Sequence, residues 1–556
     1  MRPWRQRFVE NYEEDRDYWL GRRFTEVDAR PDRQVSFRGA VTVRRRAEGG
    51  FESTNFELEV LYPPGYPYVA PTVRFINPPI DRARHQSPSG EPCLFPPGAW
   101  NLGRRPSELY ESIESWLAYY LAGRFPNELA LYELPEYFNP ATLTVLAPGD
   151  VLARFTGRDH GRFSVDELLG QDVAVLRTVD GKTVGDTLRD ALSTRSMRTE
   201  RYRGDWFRLE GEPPPLRWSH ELLAFLGEQD YATKIPAQPS ERRLLAFVFP
   251  DAVLEEERLF FLDLGASAKA KPKAGRGWPV RAPATYCVSR ADLFRRLEGV
   301  RQADALEEKT VACLGLGAIG SSVALALARE GVGSFALADP DTLRPGNVMR
   351  HALDLSSTGR YKAEAVDDAL GRVNPEVETS SQVTGLSDPA VLETVLAGAD
   401  LVIAAIGNDS KEEMLGELAA ETSPPQPMIL VRTLHAGAAF RIALVRPGQD
   451  ACLFCLAAYR NEEHPDWIDL PKSELTEVFD EGCATGSMPG AGNVSQLAAL
   501  HAASRAIEVL EAATAQTNHW LWVERAIDSG DPRLRSPLTL HTATFLPRPN
   551  CPLCSA

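Results

Sequence analysis

The sequence is short of cysteine, of long apolar runs and of positive charge. Eight cysteines in 556 residues are too few for a disulfide scaffold, and in a reducing compartment clustered thiols act as metal ligands or nucleophiles. No stretch approaches the ~18 consecutive apolar residues that a spanning helix needs. The longest clean runs, Val323–Ala328 and Leu401–Ile406, are core-sized. The opening MRPWRQRFVENYEEDRDYWL has basic residues but no apolar export segment. The expected location is therefore cytoplasmic, away from membranes. Lys and Arg number 61 against 77 Asp and Glu, a formal net charge of −16. Such a surface repels nucleic acid and anionic lipid, so neither is an expected partner.

What is present is the material of globular domains. Hydrophobic residues make up 43% and charged residues 25%, which excludes wholesale disorder. At roughly 150 residues per domain the length suggests three or four domains, and no internal repeat is visible. Three blocks stand out. Residues 1–145 read as an opening helix, then strands followed by a helix (Gln34–Arg44, Phe56–Tyr62, Thr72–Ile76, then Glu108–Leu121), an α+β domain. Residues 146–300 give weaker signals, with helices at Asp186–Leu192 and His220–Leu226 and strands at Arg243–Phe249 and Arg258–Leu264, again α+β. Residues 301–556 alternate strand and helix, beginning at Thr310–Leu316, and predict a doubly wound, Rossmann-like parallel sheet. The whole is a multi-domain α/β chain.

The third block opens with Gly315-Leu316-Gly317-Ala318-Ile319-Gly320 between a strand and a helix. Glycines there let backbone N–H groups approach a phosphate at a helix N-terminus, where the dipole favours negative charge. Asp339 closes the next strand, placed for a ribose hydroxyl. Alone, this pattern reads most simply as an NAD-dependent oxidoreductase. The continuation changes that reading: Asp339-Pro340-Asp341, then Asn347, Arg350 and Gly359-Arg360-Tyr361-Lys362.

This run resembles the ThiF/MoeB-type adenylating domain of ubiquitin-activating enzymes and of the adenylyltransferases of thiamine and molybdopterin biosynthesis. The resemblance covers about residues 300–556. It implies ATP and Mg²⁺ as cofactors, and attack on the α-phosphate by the C-terminal carboxylate of a small ubiquitin-like protein. It also implies the roles. Gly315, Gly317 and Gly320 form the phosphate turn, Asp339 holds ribose with Asp341 beside it, and Asn347, Arg350 and Lys362 contact the phosphates. The family has an Asp-Asn pair after the next strand, where this chain reads Ile406-Gly407-Asn408-Asp409. Gly407 stands in the aspartate's place, and Asp409, shifted along the chain, is the candidate magnesium ligand.

Cys452-Leu453-Phe454-Cys455 and Cys551-Pro552-Leu553-Cys554 offer four thiolates, a set suited to tetrahedral Zn²⁺ with no open position for water. Adenylating relatives close a zinc site in this manner. Cys483 lies between the first pair and the helical run Val494–Leu510, where thioester-forming relatives keep their nucleophile.

In the first block, Tyr62-Pro63-Pro64-Gly65-Tyr66-Pro67 runs on to Phe75, then His85, Cys93-Leu94 and Trp100. These residues resemble the ubiquitin-conjugating fold over about residues 20–125, and the resemblance makes Cys93 a second thioester carrier. The family's His-Pro-Asn is here His85-Gln86-Ser87, so the supporting asparagine has no counterpart. His85 is expected to be structural.

The combined expectation is a chain that adenylates a carboxyl terminus, loads Cys483, passes the acyl group to Cys93 and delivers it to an acceptor amine. Such fusions resemble proteins of anti-phage CBASS operons, whose partner is the C-terminus of a cGAS-like nucleotidyltransferase. They also resemble fused enzymes of other bacterial operons with a separate ubiquitin-like modifier. A homodimer through the third block is implied by the same resemblance. The rivals are an NAD-dependent oxidoreductase and a catalytically inert scaffold.

Overall fold

Apolar residues alternate with polar ones at Phe56, Leu58 and Val60, the period-two signature of a sheet with one buried face. The computed structural model describes residues 4–554 except 28–34, 48–49, 81–84, 87–89, 96–98, 102, 123–137, 185–187, 189–191, 193–198, 215, 230, 232–242, 252–255, 265–276, 301–302, 463, 472–489 and 513–515. The chain divides into two compact units, Met1–Asp186 with Ser196–Cys287, and Thr187–Arg195 with Val288–Ala556. Among the described residues no helix is long and apolar enough to cross a membrane.

After a short helical turn at Trp4–Arg7, the first unit has α1 (Val9–Gly21) and an antiparallel sheet in the order β1 (Thr25–Val27), β2 (Val35–Ala47), β3 (Gly50–Tyr62), β4 (Thr72–Asn77). The register sets Phe37 against Val60 and Val41 against Phe56. Their buried face is covered by Trp19 of α1 and by Leu109, Ile113 and Leu117 of α2 (Pro106–Ala122). The spacing of those three α2 residues gives one apolar stripe.

A second sheet follows, made of β5 (Asn139–Pro148), β6 (His160–Leu168), β7 (Val173–Val179), β8 (Lys182–Thr183), β9 (Thr199–Arg208), β10 (Leu244–Asp251), β11 (Glu256–Asp263) and β12 (Arg281–Val288). Its order is β5-β12-β11-β10-β9-β6-β7-β8, and β5 also pairs with β7, so the strands close into a ring. Strand β10 is buried on both faces. Leu244, Ala246 and Val248 pack in one core with Phe163 and Phe261; Leu245, Phe247 and Phe249 pack in another with Leu222 and Leu226 of α3 (Ser219–Glu228). The domain is largely β, with α3 against one of its cores, and its closure depends on pairings far apart in sequence. Its first strand begins at Asn139, and the expected helix Asp186–Leu192 falls largely outside the described residues.

The second unit is built on β13 (Thr310–Leu314), α4 (Gly320–Arg329), β14 (Ser334–Ala338), α5 (Lys362–Val373), β15 (Glu378–Gln382), α6 (Pro389–Leu396), β16 (Leu401–Ala404), α7 (Asp409–Glu421), β17 (Met428–Leu434), β18 (Ala439–Val445), α8 (Leu453–Asn461), α9 (Gly492–Leu510), β19 (His519–Val523) and β20 (Thr539–Ala543). The sheet order is β15-β14-β13-β16-β17-β18-β19-β20. The first five strands run parallel and the last three antiparallel. The antiparallel half departs from an all-parallel reading. The connection from β17 to β18 is too short for a crossover helix, and it turns through His435, Ala436 and Gly437, all with positive φ. Val311 and Cys313 of β13 pack with α4, α5 and α9, while Ala312 and Leu314 pack with α6 and α7 on the opposite face. Strand order reverses at β13, the crevice where open α/β sheets bind ligands.

Candidate active site

The glycine turn leaves the C-terminal end of β13. Gly315 has φ +82°, and a Cβ there would stand 2.7 Å from the Ala405 carbonyl oxygen. A Cβ on Gly320 would run into the Gly315 carbonyl oxygen, whereas one on Gly317 would meet nothing within 4 Å. Gly315 and Gly320 are thus required by the close turn itself, and Gly317 faces open space.

Asp339 follows β14 and is buried. Its Oδ2 accepts the Leu316 N–H at 2.6 Å and its Oδ1 accepts the Asp341 N–H at 2.8 Å. The carboxylate therefore pins the glycine turn. Lys362, the first residue of α5, places Nζ 2.7 Å from Asp341 Oδ2 and 4.0 Å from Asp339 Oδ1. Burial raises the Asp339 pKa above its ordinary value; the Lys362 charge and the two backbone donors oppose that rise. The structure brings Asp339, Asp341, Lys362 and the turn together.

Two expected phosphate contacts have local work in this structure. Asn347 Oδ1 accepts the Arg344 N–H at 3.1 Å, closing the helical turn Pro345–Val348. Arg350 Nη1 donates to the Gly346 carbonyl at 3.3 Å. Asp409 begins α7 and pairs with Arg432 Nη1 at 2.5 Å. Arg432 also pairs with Glu412, which is buried and accepts the Gly407 N–H at 2.9 Å. Burial pushes the Glu412 carboxyl pKa up, with Arg432 opposing. For a magnesium ion, hard carboxylate oxygens are the suitable donors. Asp341 and Asp409 present them, with side chains 64% and 67% exposed, and Gly407 has none to give. Glu412, Arg432 and His351 were not singled out from sequence. Only His351, directly after Arg350, carried a positional signal.

The four cysteines of the two pairs converge. Their Sγ atoms lie within 4.8 Å of one another, with separations of 3.3 Å (Cys452–Cys551), 3.7 Å (Cys452–Cys455) and 3.8 Å (Cys455–Cys554). A disulfide needs about 2.05 Å. A tetrahedral ion with ~2.3 Å bonds to sulfur sets its ligands roughly 3.8 Å apart, so the four could hold zinc.

In the first unit, Cys93 is exposed and its N–H donates to the His85 carbonyl at 2.6 Å. The same carbonyl accepts Trp116 Nε1–H at 2.9 Å, and His85 is buried with φ +57°. Gln86 Nε2 donates to the carbonyls of Ile80 and Gly90, each at 2.6 Å, and Gln86 bridges Pro92. Trp100 Nε1 donates to the Pro67 carbonyl at 2.9 Å. Cys483 and Ser87 lie outside the described residues.

Residues 289–521 match the ThiF family. The chain is 26% identical over 316 residues to the uncharacterized protein y4oA of Sinorhizobium fredii, covering 52% of this chain and 51% of that protein. It is 25% identical over 374 residues to the ATP-dependent ubiquitin transferase-like protein Cap2 of Vibrio cholerae, covering 60% of each. It is 38% identical over 101 residues to the molybdopterin-synthase adenylyltransferase of Escherichia coli, covering 18% of this chain and 40% of that one. The chain thus spans about half the length of the first curated relatives it matches, 51% and 44%. Residues 289–521 form a ThiF-family domain, in a chain similar to the Cap2 ubiquitin transferase-like proteins and to the molybdopterin-synthase adenylyltransferases.

Proposed function

We propose that this chain activates the C-terminal carboxylate of a partner protein with ATP and transfers the acyl group through two thiols to an amine. One observation carries the reading: Asp339, Asp341 and Lys362 are assembled around a glycine turn within a ThiF-family match. In the first step a carboxylate oxygen attacks the α-phosphorus, the bond to the bridging oxygen breaks, and pyrophosphate leaves with the electron pair. Gly317 leaves room for the phosphates, Arg350 and Lys362 supply charge for the developing anion, and Asp339 holds the ribose. A bound Mg²⁺, held by Asp409 or Asp341, would neutralise phosphate charge.

The Cys483 thiolate then attacks the acyl carbonyl and AMP leaves. Thioester exchange moves the acyl group to Cys93, and an amine displaces the Cys93 thiolate to give an amide. The exposed thiol of Cys93, on a loop braced by His85 and Gln86, suits the last step. The first block is then a ubiquitin-conjugating-like domain. Similarity to ubiquitin transferase-like proteins supports a protein partner, and the partner proposed is a ubiquitin-like protein or a cGAS-like nucleotidyltransferase. Zn²⁺ on Cys452, Cys455, Cys551 and Cys554 is structural, and the active form is a homodimer in the cytoplasm, which light scattering at micromolar protein checks. The test of activation is ATP–pyrophosphate exchange with a partner protein. The wild type exchanges and Arg350→Ala does not; normal exchange by Arg350→Ala removes the assignment.

A further inference from the structure

The segment carrying Arg350 is tied to the glycine turn by its neighbour. His351 is buried, with Nε2 2.8 Å from the Leu316 carbonyl oxygen and Nδ1 3.1 Å from the Leu353 nitrogen. Because the Leu353 N–H can only donate, Nδ1 accepts. Nε2 therefore carries the hydrogen and donates to Leu316, between the first two glycines. Burial pushes the imidazole pKa below its ordinary value, the Leu316 carbonyl opposes this, and the Lys362 and Arg350 charges lower it further, so the neutral ring persists.

Other bonds hold the same stretch of backbone. The Ala352 N–H donates to Ser321 Oγ at 3.3 Å, and that hydroxyl donates to the Gly317 carbonyl at 2.7 Å. Gln496 Nε2, on α9, donates to the Arg350 carbonyl at 3.2 Å. At the start of α9, a Cβ on Gly492 would stand 2.6 Å from the Met349 carbonyl oxygen. The peptide of Arg350 is therefore fixed from the glycine turn, from α4 and from α9, and His351 makes its most buried bond.

We propose that His351 is a positioning residue for acyl-adenylate formation, holding Arg350 in register with the glycine turn. This rests on the adenylation reading above. The guanidinium acts on charge that develops during the reaction, so misplacing it slows turnover more than it weakens ATP binding.

The experiment measures kcat and the KM for ATP in pyrophosphate exchange, with thermal unfolding, for His351→Ala, His351→Gln and His351→Asn in the full chain. A glutamine amide can reach the Leu316 carbonyl. An asparagine can accept from Leu353 but falls short of Leu316. His351→Ala is expected to lose about 10²-fold in kcat, the scale of a misplacement near 1 Å, with little change in KM. Gln should recover most of the rate and Asn should not. A kcat for His351→Ala within about threefold of wild type overturns the proposal. So do equal rates for the Gln and Asn variants, a comparison that holds even where Ala fails to fold. Absence of exchange in the wild type instead overturns the adenylation reading itself, and is distinguishable from loss in a variant.

Discussion

Replacing Lys362 by methionine removes a buried cation while keeping its stem. The ammonium lies 4.0 Å from Asp339 Oδ1, and the two side chains are 10% and 6% exposed. At an effective dielectric near 20 the attraction at that distance is about 4 kcal/mol. Asp341, the second partner, is 64% exposed, so solvent screens part of this and a net cost of about 2 kcal/mol is the reasonable scale. In a unit of this size that is roughly 4–8 °C in Tm. The pH dependence has a definite sign. Burial already holds the folded-state pKa of Asp339 above its ordinary 3.8, and losing the lysine raises it further. A carboxyl with a raised folded pKa loses stability as pH climbs from the unfolded value through the folded one. Lys362→Met should therefore cost more at pH 8 than at pH 5. Pyrophosphate exchange should fall about 10²–10³-fold, the scale of removing one group that stabilises transition-state charge. The assays are thermal unfolding at both pH values and exchange kinetics. A variant exchanging within about threefold of wild type, or losing the same Tm at pH 5 and pH 8, refutes this reasoning.

Metal analysis of the purified full chain should find one zinc, and Cys455→Ser should lose it together with thermal stability, because metal binding at a closed thiolate site is folding energy; zinc-free wild type of normal stability contradicts this. His519 sits among the rings of Trp467 and Phe545, and burial pushes its imidazole from 6.5 down to about 3, with the Arg441 charge adding. The unfolded chain binds that proton first, so stability should fall as pH drops below 6.5, by up to about 2 kcal/mol at pH 5. His519→Phe should flatten that slope in urea melts, and an unchanged slope counts against it. With partner and ATP, Cys483→Ala should adenylate without loading a thiol and Cys93→Ala should stall with Cys483 loaded; conjugates formed by Cys93→Ala break the relay.

Much of the third block was legible because its signals are local. Strand, glycine turn and helix are contiguous from Thr310 to Arg329, and each residue there has one reading. Asp339 and Lys362 were legible through spacing, although their approach across β14 and α5 is tertiary. Paired cysteines declared themselves, and only the fold could bring Cys551 to Cys452. The ring of the middle domain was hidden, since β5 meets β7 and β12 far along the chain and nothing local encodes closure. Glu412 and Arg432 were hidden for a related reason. A charged pair from a helix and a strand looks like two surface residues until burial is known.

Activation of a carboxyl terminus is tested most directly by trapping its product. The full chain is incubated with ATP labelled at the α-phosphate, Mg²⁺ and a candidate partner, either cGAS-like or ubiquitin-like, then quenched in acid and separated. Labelled AMP is expected on the partner, lost when the partner's last residues are removed and absent with Arg350→Ala. Label that survives removal of that C-terminus, or no label with either class of partner while the chain oxidises or reduces a nicotinamide, contradicts it.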